Sequence, residues 1–98
     1  MEKGTPHCKL PQVKALIQEG HVRMTGSAML GAELLGLDRQ GIIDVLMALT
    51  SADFYKSMTT YADHTIWQDV YRPRTVSGDV YLKLTVLNDV LVVSFKEL

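Results

Sequence analysis

Cysteine is almost absent. Of 98 residues only Cys8 is one, so no internal disulfide can form and no cysteine-rich zinc site can be built. Proline and glycine are scarce, at three and seven residues, which excludes a low-complexity or collagen-like chain. No apolar run approaches the roughly 18 residues that a membrane helix needs. The opening MEKGTPHCKL carries no apolar stretch of the secretory type, and the expectation is a cytoplasmic protein. Charge of one sign is missing too: ten Lys and Arg stand against eleven Asp and Glu, net −1, so bulk electrostatics cannot grip a nucleic acid. There is no phosphate-binding glycine loop, no HExxH, no GxSxG and no His/Cys/carboxylate set at metal spacing. Serine-type and metal-assisted mechanisms therefore have no support in the sequence, and no cofactor or metal is expected.

What is present is enough apolar material, 47% against 21% charged residues, to pack one core, so residues 1–98 are read as one globular unit. Residues 1–10 show no periodicity and read as an irregular arm. Pro11 suits the start of a helix running to Glu19, with Val13, Leu16 and Ile17 on one face and Gly20 as its left-handed cap. Residues 21–24 read as a short edge strand. Thr25-Gly26-Ser27 offers a cap for a second helix with Ala28, Leu30, Leu34 and Leu35 as its apolar set. Asp38 caps a third, 39–49, built on Ile42, Ile43, Val45, Leu46 and Leu49.

From Asp53 onward the apolar period changes to two, the signature of strands. Runs at 54–60, 67–74, 78–87 and 90–96 predict an antiparallel meander, with turns at Ser77-Gly78 and Asn88-Asp89, the latter in residues tolerant of positive φ. The longer connection 61–66 is the expected mobile loop. Helices first and strands after make the α+β class, with the N-terminal helices packed on one face of an antiparallel sheet.

Strand parity then sorts the side chains into two faces. Val80, Leu82, Leu84 and Val86, with Leu91, Val93 and Phe95, are assigned to the covered face, as are Trp67 and Tyr71. The open face collects Lys56, Gln68, Arg72, Arg74, Tyr81, Lys83 and Lys96. Five cations gather there, and among carboxylates only Asp79 shares the parity of Tyr81. A phosphate backbone suits such a face, although a solvated lysine surface that blocks edge pairing is an equally simple reading. Lys, Arg, Gln and Tyr without a carboxylate can serve RNA cleavage, because the 2′-hydroxyl supplies the nucleophile and only proton transfer and charge stabilisation remain. A lysine among other cations is expected to act as acid or base near neutrality.

The stretches FYKSMTTYADHTIWQDVYRPR at 54–74 and GDVYLKLTVLNDVLVVSFKE at 78–97, together with TPH at 5–7, closely resemble the MqsR (motility quorum-sensing regulator) toxin family along the full length. The resemblance implies a type II toxin of RelE-like ribonuclease fold, a metal-independent mRNA interferase of the bacterial cytoplasm that prefers GCU triplets. It also implies inhibition by an MqsA-like antitoxin with a zinc-binding region and a helix-turn-helix region, operator DNA being reached only through that partner. Carried over by position, the catalytic set falls on Lys56, Gln68, Tyr81 and Lys96. Substrate binding falls on His7, Tyr55, Met58 and Arg72. Tyr55 has the wrong parity for the open face unless a bulge re-aims it. The chain departs from the family pattern at Asn88, where a relative carries His, and at Gly4, Ala15 and Gly26, where relatives carry Lys or Arg. Those departures keep open the alternative of a weakened homologue acting as an antitoxin-binding co-regulator.

Overall fold

Each helix starts and stops where local chemistry dictates. The computed structural model describes residues 1–98, and in it α1 (Leu10–Gln18) has Pro11 in its first turn. α1 ends on Gly20 at φ 83°, with Gly20 and His21 N–H donating to the Ile17 and Leu16 carbonyls. That crossed pair is the Schellman stop, and φ in this region is why a glycine stands there. α2 (Gly26–Leu34) is capped by Thr25, whose hydroxyl accepts from the Ala28 N–H, and α3 (Arg39–Ala48) by Asp38, which accepts from the Gly41 N–H.

Seven strands follow or flank the helices: β1 (Glu2–Lys3), β2 (Val22–Met24), β3 (Phe54–Thr59), β4 (Trp67–Tyr71), β5 (Arg74–Thr75), β6 (Gly78–Val86) and β7 (Val90–Glu97). Their order is β1-β3-β4-β6-β7-β2, with β5 pairing β6 beside that path. The class is α+β, as expected, but the sheet is mixed, because β2 lies parallel to β7 at the far edge. The arm is not irregular either: Glu2 pairs Met58 and Lys3 pairs Ser57, so β1 becomes the other edge. Pro73 cuts the expected strand 67–74 in two, leaving Arg74 in β5 opposite Asp79.

The core joins Val13 and Ile17 of α1, Ala28 and Ala32 of α2, and Ile42 and Leu46 of α3 to Tyr71, Val80, Leu82, Leu84, Val90, Val92 and Phe95 of the sheet. Full burial of a large apolar side chain contributes about 1.5–3 kcal/mol, so this layer, not surface pairing, carries the stability. α2 buries its small residues, not the leucines assigned to it: Leu30 and Leu34 are exposed. Gly31 is the reason, since it lies against the Phe95 carbonyl and brings the helix backbone down onto β7.

The Asn88-Asp89 turn forms without any positive φ outside glycine, and the Asp89 carboxylate instead accepts from Nε and Nη2 of Arg23 on β2. The 61–66 connection is internally bonded, with Asp63 accepting from both the N–H and the hydroxyl of Thr65. Asp69 is buried and receives the His7 and Cys8 N–H groups at 3.0 and 3.1 Å, which ties the arm to the sheet.

Tyr71 yields a test at high pH. Its hydroxyl is buried without a partner, and desolvation, followed by the nearby Asp69 charge, pushes its pKa far above the ordinary value. Above pH about 10 the unfolded chain sheds this proton while the folded chain keeps it, so the folded state binds more protons and stability falls as pH rises. Below that pH the contribution is fully present. Tyr71→Phe is expected to match or exceed the parent's urea midpoint at pH 7, because an unpartnered buried hydroxyl is a cost. Comparing midpoints at pH 8 and pH 11 should show a smaller alkaline loss in the variant; equal losses would exclude Tyr71 as the cause.

Candidate active site

Two β-bulges decide what the open face carries. In β3 the register shifts between Phe54, opposite Tyr71, and Lys56, opposite Val70, which leaves Tyr55 as the extra residue. Phe54 therefore turns inward, edge-on to Tyr71 at 5.5 Å, while Lys56 turns outward. Strict alternation would have sent both to one face. The bulge also brings Tyr55 to Arg72 and Lys56, whose charged groups lie 4.6 and 5.5 Å from its ring centre.

The second bulge sits in β7, where Lys83 pairs Ser94 but Leu84 pairs Val92, so that Val93 is unpaired. Val90 and Val92 face the core before it and Phe95 after it, which corrects the assignment of Leu91 and Val93 to the covered face. The bulge restores Lys96 to the open side, paired with Tyr81, and its ammonium lies 5.3 Å from the centre of that ring.

Lys56, Val70, Lys83 and Ser94 thus form one row across four strands, with Tyr81 and Lys96 beside it. Lys56, Tyr81 and Lys96 are brought together, with Tyr55 and Arg72 at their rim. Gln68 and Met58 pair with each other on the same face, on the other side of Val70. At about 3.3 Å per residue, Gln68 lies roughly 13 Å along the sheet from the Tyr81 level. The face is not wholly bare: Val70 and Thr85 are buried in it, the Thr85 hydroxyl donating to the Trp67 carbonyl at 2.7 Å.

His7 stands apart from this group. Its ring stacks on Trp67 at 5.5 Å, on the side of the sheet that bears Asp69 and Tyr71. Trp67 faces that side as expected but meets the arm, with the Lys3 ammonium 4.1 Å over its ring, instead of the helices. Arg74 lies beyond Pro73 and lines a cleft of about 390 Å³ with Tyr55, Arg72, Asp79 and Leu98.

The electrostatics correct one expectation directly. Lys56 is not surrounded by cations alone: Glu2 Oε2 accepts from its ammonium at 3.1 Å. That hydrogen bond outweighs the desolvation that opposes it and, with the Glu2 charge adding to it, holds the Lys56 pKa above the ordinary lysine value. Sequence reasoning missed Glu2 because two paired residues are too few to show a period, and only its partner strand reveals which way it points. The break at Pro73 was legible, since proline cannot donate to a central ladder.

Fold and face together define a small α+β protein that presents clustered ammonium, guanidinium and phenol groups on one side of a sheet, an arrangement suited to an anionic polymer. The chain belongs to the family described as motility quorum-sensing regulator, toxin of MqsA, whose model matches residues 5–97. It is similar to the mRNA interferase toxin MqsR of Escherichia coli (strain K12), 65% identical over 97 residues that span 99% of each chain.

Proposed function

We propose that this chain is the mRNA interferase toxin of a type II toxin–antitoxin pair, a metal-independent endoribonuclease of RelE-like fold that prefers GCU sites. The observation that carries the reading is the convergence of Lys56, Tyr81 and Lys96 on the open face in a chain 65% identical to a toxin of that name. The 2′-hydroxyl attacks the adjacent phosphorus and the bond to the 5′-oxygen breaks. Tyr81 accepts a hydrogen bond from the attacking 2′-hydroxyl, whose proton passes to solvent water, Lys56 gives its proton to the departing 5′-oxygen, and Lys96 offsets charge on the phosphorane. Arg72 braces a phosphate at the rim while Tyr55 offers a ring face for a base. Gln68 and Met58 meet the next nucleotide along the sheet, and His7 with Trp67 forms a stacked edge reached past β1.

The partner proposed is an MqsA-like antitoxin with zinc-binding and helix-turn-helix regions, operator DNA being contacted through it. Incubating the purified chain with a GCU-containing transcript in EDTA tests the activity. Cuts at GCU with 2′,3′-cyclic phosphate ends are expected. Intact RNA at micromolar protein overturns the reading and favours the weakened co-regulator.

A further inference from the structure

Glu2 is the one carboxylate bonded to a cation of the cluster, and β1 delivers it there. Its pairing with Met58 sends its side chain to the open face, whereas Lys3 points to the other side. The contacts that fasten the arm, the pairing of β1 with β3 included, leave the Glu2 side chain out. Asp69 holds the His7 and Cys8 N–H groups, the Met1 ammonium donates to the Thr59 hydroxyl at 3.2 Å, and the Thr59 N–H donates to the Met1 carbonyl at 3.0 Å. Lys3 is set between Trp67 and His7 Nδ1. The Glu2 side chain can therefore leave Lys56 by rotating its own bonds, with β1 still paired.

A carboxylate oxygen at this distance from an ammonium sits where a phosphate oxygen would accept the same hydrogen bond. The geometry points to Glu2 as an intramolecular stand-in for the RNA phosphate, seated on Lys56 in the free protein and displaced by the substrate backbone. This deepens the ribonuclease reading and rests on it. Tuning of protonation does not explain the contact, because an unperturbed lysine lies about three units above neutral pH and is charged there without help. The other groups facing Lys56 are Tyr55 on its own strand, Tyr81 on β6, Arg72 at the end of β4 and Lys83 across Val70. None of these is a carboxylate, so Glu2 is the group that an incoming phosphate must displace from Lys56.

The test uses residues 1–98 with no tag added at Met1 and a GCU oligonucleotide bearing a 2′-deoxy sugar at the cut site, so that binding is read without cleavage. Glu2→Gln is expected to tighten Kd by about two- to fivefold at low salt, the range of an exposed ion pair, and to lower KM for the cleavable RNA by a similar factor. The gain shrinks as salt rises. In a Lys56→Ala background the same substitution is expected to give little, whereas the charge-matched Glu97→Gln gives a smaller effect that is indifferent to Lys56. Unchanged or weaker binding by Glu2→Gln overturns the inference, as does a gain that persists without Lys56. Failure of every variant, parent included, to bind or cut RNA overturns the ribonuclease reading itself, and that outcome is distinct from a parent that cuts RNA while Glu2→Gln brings no gain.

Discussion

Lys56→Ala is expected to keep the fold and lose at least about a hundredfold in the rate of RNA cleavage, the usual worth of a positioned proton donor. The fold survives because Lys56 lies outside the core, and the ion pair it surrenders is an exposed one of little worth to stability. Activity does not survive, because no other ammonium lies at that point of the sheet: Lys83 stands two strands away across Val70, about 10 Å, and Lys96 is engaged with Tyr81. Lys56→Arg separates the two duties of the residue. A guanidinium keeps the charge that holds phosphate but does not release a proton, so KM should stay near the parent value while kcat falls. Single-turnover cleavage, with the urea midpoint as the check on folding, decides it. Full activity in Lys56→Ala would remove the proposed mechanism.

The second large effect is expected far from any charged group. A Cβ at Gly31 would overlap the Phe95 carbonyl oxygen and press on the Phe95 carbonyl carbon at 3.0 Å, both backbone atoms that no rotamer change can move. Gly31→Ala should therefore push α2 off β7 and cost about 3 kcal/mol, the upper end for overpacking, which lowers Tm by on the order of 10–20 °C. Gly26→Ala is the matched control in the same helix, since a Cβ there meets nothing within 4 Å. Because Lys96 follows Phe95 directly, Gly31→Ala should also weaken cleavage in the fraction that remains folded, and Gly26→Ala should not. Equal melting temperatures for the two variants would show that α2 does not depend on this close approach.

Much of this was readable in advance, and for local reasons. Thr25 and Asp38 cap helices because a short side chain can satisfy a free N–H within its own turn, and Gly20 ends one because it tolerates the required φ. Val80, Leu82 and Leu84 turn inward because a regular strand alternates. The errors fall where alternation is interrupted. Nothing in Phe54-Tyr55-Lys56 announces that Tyr55 is an extra residue, yet that bulge alone allows Phe54 to enter the core while Lys56 stays on the open face. Val92 and Val93 are chemically too alike for the sequence to say which is buried; the register against Lys83 and Leu84 decides.

The sequence by itself determined the α+β class, the three helices, the cationic character of one sheet face and the family, because caps, periods and a long contiguous match are written in neighbouring residues. The tertiary structure alone decided that the arm becomes a strand, that its Glu2 reaches Lys56, that Arg74 falls in β5 beside a cleft, and that His7 lies on the other side from Tyr81. Each of those depends on which residue stands opposite which across strands far apart in the chain. One unpaired residue is enough to reverse the facing of everything after it.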